Sequence, residues 1–166
     1  MQLKLITPHM GQFISEDDID KVFEEMSTKE SLQEKWLRSF TNQQPHIAAW
    51  LLGESFELLT DEEKDLLFFL AMVIYEASKR KNGSLPEVDG ESLRDAEELN
   101  WQIMEDVKAT TFRDRISGFF DDTEQEDVLA FIEDSLVEDE EDEPIVTKVG
   151  REPMFLGLKT VADVLT

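Results

Sequence analysis

The sequence predicts a mainly α fold, with six to seven helices packed around one central, buried helix over residues 60–81. Three features support that expectation. Apolar residues recur at the i, i+3, i+4, i+7 spacing of a helical face in several windows. Ser, Thr and acidic side chains stand where the free amides of a first helical turn need oxygen acceptors. The ten-residue apolar run Leu66–Tyr75 lies between an acidic start and a basic end, as the middle of one long helix does.

Ser15-Glu-Asp-Asp18 caps the first helix, and Ile19, Val22, Phe23 and Met26 line its apolar face. A second helix from about Thr28 to Phe40 buries Leu32, Trp36, Leu37 and Phe40. Pro45 opens a third, since a first turn loses nothing by a missing N–H, and Ile47, Trp50, Leu51 and Phe56 pack from there. For the central helix, Thr60 and Glu63 form a T-x-x-E capping box. Asp61–Glu63 complement its positive end, Lys79–Lys81 its negative end, and Asn82-Gly83 supplies a left-handed stop. Its middle is apolar around the full circumference, which requires neighbours on every side.

Residues 84–90 read as a loop. Ser92–Asp95 opens the next helix, with Leu93, Ala96, Asn100, Ile103 and Val107 on one face and Leu99 and Met104 beside it. Thr110-Thr111 interrupts the chain before a short helix bearing Phe112, Ile116, Phe119 and Phe120. Thr123–Glu126 has the pattern of a second capping box, followed by Val128, Leu129, Ile132 and Leu136. Phe56, Thr60, Glu63, Leu66 and Phe68 recur 63 residues later as Phe119, Thr123, Glu126, Leu129 and Phe131. A duplicated unit explains this echo, and so do two helices sharing one cap chemistry. The domain, taken as a single one over 1–166, carries an acidic linker at 138–144 and a C-terminal segment at 145–166. There Ile145–Val149 and Met154–Leu158 have strand-like content around Gly150 and Pro153, and read as a small β-hairpin or an irregular element before a helical turn at Thr160–Leu165. Short helices and connections suggest an orthogonal or solenoid-like array.

Composition bounds the function. With 40% hydrophobic residues, 11 Phe and 3 Trp, the chain is too apolar to be a wholly disordered acidic protein. It has no Cys, which removes disulfides and thiolate sites and fits a reducing, cytoplasmic setting. Its longest apolar run is half the length of a membrane span, so no membrane association is expected. The net charge of −23 is uneven, with 9 basic and 15 acidic side chains in residues 1–83 against 7 and 24 in residues 84–166. Such a field repels nucleic acid and favours a basic protein as partner.

Signatures of chemistry are missing. There is no G-x-G-x-x-G and no G-x-x-x-x-G-K-[ST], and Ser55 after Gly53 is followed by Phe56-Glu57 rather than a nucleophile elbow. His9 and His46 belong to no H-E-x-x-H or E-x-x-H arrangement. From Asp121, position six of a calcium loop falls on Glu126 where glycine is needed. Lys79-Arg80-Lys81 is explained by its place at a helix C-terminus. No catalytic, metal or cofactor residue is assigned.

What remains is charge. From Arg115 to Lys148 the chain runs 32 residues without a basic side chain and 13 of them are acidic, ending in Glu138, Asp139, Glu140, Glu141, Asp142 and Glu143. The first part reads as the solvated face of an amphipathic helix; the final six residues lack a packing explanation in the sequence and read as a linker. These six and Trp101, which points away from the Ile103/Val107 direction, are the candidate partner contacts. The leading expectation is a non-enzymatic acidic interaction or adaptor domain. One alternative is a DNA-mimicking inhibitor of a DNA-binding protein, although the run matches duplex charge density over only about 9 Å. Another is a small enzyme or ligand-binding domain with a carboxylate site.

Overall fold

In the computed structural model, which describes residues 11–137 and 144–166, eight α-helices follow one another without a strand among the described residues. They are α1 (Glu16–Thr28), α2 (Glu30–Gln43), α3 (Pro45–Leu51), α4 (Asp61–Asn82), α5 (Gly90–Glu105), α6 (Phe112–Asp121), α7 (Glu126–Leu136) and α8 (Arg151–Leu165), with one 3-10 turn at Glu54–Phe56. The buried side chains form one contiguous cluster.

The long helix α4 has the predicted caps. Thr60 Oγ1 accepts from the Glu63 amide at 3.1 Å, the Glu63 carboxylate accepts from the Thr60 amide at 2.9 Å, and Gly83 leaves the helix at φ 89°. Its run from Leu70 to Tyr75 is wholly buried, with α1, α2, α3 and α8 packed around it. Its basic end is spent internally. Arg80 grips the Glu25 carboxylate at 2.8 and 3.0 Å and lies over the Trp36 ring, while Lys81 reaches Asp18 at 3.2 Å. These contacts bind α1 against α4. The connection into α5 is held by the buried Gln44, whose amide donates to Pro86 O and accepts from the Val88 N–H.

The hairpin expected over 145–158 does not form. Residues 151–165 are one helix, α8, with Met154 to Leu158 all buried. Two residues that resemble strand punctuation have helical uses. Pro153 sits in the first turn, where a backbone N–H would have no intrahelical partner, so its absence costs nothing. Gly157 lets α8 approach the 3-10 turn, since a Cβ there would lie 2.8 Å from the Phe56 ring. A second central helix, packed against α4, α5 and α7, thereby raises the count to eight. Asn100 on α5 donates to Thr160 Oγ1 and Asp163 Oδ2, both at 3.0 Å, giving the α5–α8 contact a buried polar link.

The second capping box also fails to form. Thr123 Oγ1 accepts from the Gln125 amide, and α7 starts at Glu126 without a side-chain cap. The two members of the 63-residue echo therefore differ in cap chemistry.

Candidate protein-interaction surface

The start of α7 clips the chain that enters α1. Gln125, buried at the N-cap of α7, accepts from the Ile14 amide at 2.9 Å and donates to Gln12 O at 3.0 Å. Asp127 then accepts from the Glu16 amide at 2.9 Å, placing a carboxylate at the positive end of α1. These bonds set α1 and α7 with their N-termini side by side. The groove between the two helices has a volume of about 280 Å³.

Its floor is apolar and its rim is acidic. Ile19 and Phe23 from α1 and Ala130 and Phe131 from α7 make the floor; Glu16, Asp20, Asp127 and Asp134 make the rim. Phe23 was expected in the core, but 38% of it is exposed. It stands edge-on to Phe69 and Phe131, with centroids 5.6 and 6.0 Å away. The ring is thus fixed on one side by two aromatic neighbours and open on the other. None of the four rim carboxylates has a cation within 4 Å among the described residues, whereas Glu133, on the same helix, pairs with Arg113 at 3.1 Å.

Two other acids of α1, Asp18 and Glu25, face the basic end of α4. Asp18 is held below the usual carboxylate range chiefly by the Ser15 amide, and Glu25 by its hydrogen bond to Arg80. So α1 binds the basic end of α4 with Asp18 and Glu25 and lines the groove with Glu16 and Asp20, while Asp17 and Glu24 are exposed outside both.

Trp101 is 37% exposed on the outer side of α5, and Leu99 and Ile103, expected on or beside the packed face, are also exposed. Leu93 and Asn100, both expected there, fill the inner face together with Met104. Trp101 does not line the α1–α7 groove. Glu138–Glu143 lie outside the described residues, but both of their anchors are described. Before them, Leu136 is buried at the end of α7; after them, Val146 is buried and Thr147 binds Glu63. Glu63 thus has a role that the capping pattern did not reveal. Its second oxygen accepts from the Thr147 amide at 2.8 Å and its hydroxyl at 2.9 Å. Burial opposes ionisation of Glu63, yet the Thr60 and Thr147 donors outweigh it and hold the carboxyl below its usual value.

Two further clefts lack a convergent set of reactive groups. One, of about 370 Å³, contains Lys159, but that ammonium is bound to Asp163 at 2.5 Å. The other, of about 400 Å³, contains His46 and Arg94, with His46 half-exposed and 3.5 Å from Glu87. No group of three or more His, Cys, Asp or Glu side chains is placed to hold a metal among the described residues. No helix there is long and apolar enough to cross a membrane. Comparison with family models, curated proteins and solved structures finds no match.

The groove escaped the sequence reading because its two walls are over a hundred residues apart. The periodicity of α1 put Phe23 in the core, and only the pairing of α1 with α7 leaves it at a surface. A local signal did exist: Asp20, three residues before Phe23, is its polar neighbour on the helix surface and marks it as the edge of the apolar face.

Proposed function

We propose that this chain is a non-enzymatic interaction domain whose acidic surface receives a basic partner protein. The observation that supports it most is how the charges are distributed. Among the described residues, Arg38, Arg80, Lys81, Arg113, Arg115 and Lys159 are each paired with a carboxylate of the chain itself, while the rim acids Glu16, Asp20 and Asp134 have no cation partner. With 39 acidic against 16 basic side chains, the acid excess acts outward, where it steers positively charged partners and sets the salt dependence of their binding. Glu138–Glu143 and Trp101 are further contact residues in this reading.

Affinity capture at low and high salt, with the intact chain and with a variant neutralised at residues 138–143, tests it. The captured proteins should be basic, should elute as salt rises, and should be retained less by the variant. Partners that are acidic or indifferent to salt would contradict the reading; retention unchanged by the variant would remove Glu138–Glu143 from the contact.

A further inference from the structure

We propose that the α1–α7 groove is the seat of a basic amphipathic helix from the partner, with an apolar anchor set on Phe23 and Phe131 and flanking Lys or Arg side chains reaching the rim. The proposal rests on the acidic-surface reading and gives it a place. Charge complementarity selects the occupant. The apolar floor is bordered on both sides by carboxylates that no Lys or Arg side chain pairs with among the described residues, so an apolar ridge between two basic edges matches it.

Helical geometry selects its form. Glu16 and Asp20 are one turn apart on α1, and Asp127 and Asp134 two turns apart on α7, so the rim charges repeat at the spacing of side chains on a third helix laid between them. The edge-on contacts of Phe23 with Phe69 and Phe131 fix its ring before binding, so little further order is required of it.

The test is a titration of the full chain with a labelled synthetic peptide, helical and amphipathic, with Leu and Phe on one face and Lys and Arg on its flanks. A scramble of the same composition that cannot form an amphipathic helix is the control. The ordered peptide should bind about tenfold more tightly than the scramble, and Phe23→Ser should remove about that factor, as truncation of a central anchor does. Because Phe23 also packs on Phe69, a second variant guards against loss of folding. Asp20→Asn with Asp134→Asn changes only exposed rim groups and should weaken binding about fivefold, the scale of two surface ion pairs.

Equal binding of both peptides, with neither variant altering it, would overturn the groove while leaving the acidic-surface reading intact. Binding of neither peptide at low salt would overturn both. Tighter peptide binding when Leu3, Leu5 and Ile6 are changed to Ser would make the chain's own N-terminus the occupant and overturn the proposal.

Discussion

Glu63 shows how much one side chain can organise. It closes the cap of α4 and, 2% exposed, accepts two bonds from Thr147, the residue that secures the chain after the acidic run. Gly150 closes the arrangement, since a Cβ there would fall 2.0 Å from the Glu63 carboxylate. Replacing Glu63 by Gln puts an NH₂ group where Thr147 needs an acceptor and should cost about 1–3 kcal/mol, measured by urea unfolding at neutral pH. The pH dependence has a definite sign. The folded carboxyl is held below its ordinary 4.5, so its contribution is complete above that value and is lost as pH falls through the lower, folded value. The stability gap between wild type and Glu63→Gln should therefore narrow on acidification below about 4.5, whereas a gap that widened would contradict the assignment. Half of this was legible, because T-x-x-E announces the cap. The bond to Thr147 was not, since it joins residues 84 apart in sequence.

At the scale of elements, α4 and α8 make the contrast. Both are buried on most sides, yet only α4 could be read from the sequence, because both its ends carry cap residues and complementary charge. Helix α8 has no side-chain cap and includes Pro153 and Gly157, which in isolation argue for strand and turn. Tertiary packing decides otherwise, with Gly157 small because Phe56 touches it. Gly157→Val should destabilise the fold by about 1–3 kcal/mol through overpacking. That exceeds the gain of at most about 1 kcal/mol from removing a helical glycine. A lower melting temperature is expected, and an unchanged or higher one would show that Phe56 moves aside. The buried Asn100 predicts a similar loss on the α5–α8 contact. Asn100→Ala removes the bonds to Thr160 Oγ1 and Asp163 Oδ2 and should cost about 1–3 kcal/mol in the same unfolding assay.

For the whole molecule, a net charge of −23 has two consequences of opposite sign. Self-repulsion is screened by salt, so the melting temperature should rise as NaCl is added. Attraction to a basic partner is screened by the same ions, so binding should weaken. The acid excess was plain in the sequence and narrowed attention to Glu138–Glu143, while Trp101 stood out only as an aromatic off the apolar face of its helix. The excess could not disclose the α1–α7 groove, because each wall looks like an ordinary amphipathic helix until Gln125 and Asp127 bring the two together. The most direct test of the acidic-surface reading is the affinity of the Lys/Arg-flanked amphipathic peptide between about 0.01 and 1 M NaCl, over which the screening length drops from roughly 30 to 3 Å. Binding should be tight at low salt and fall steeply across this range while the protein itself becomes more heat-stable. An affinity that stayed level with salt would contradict that reading.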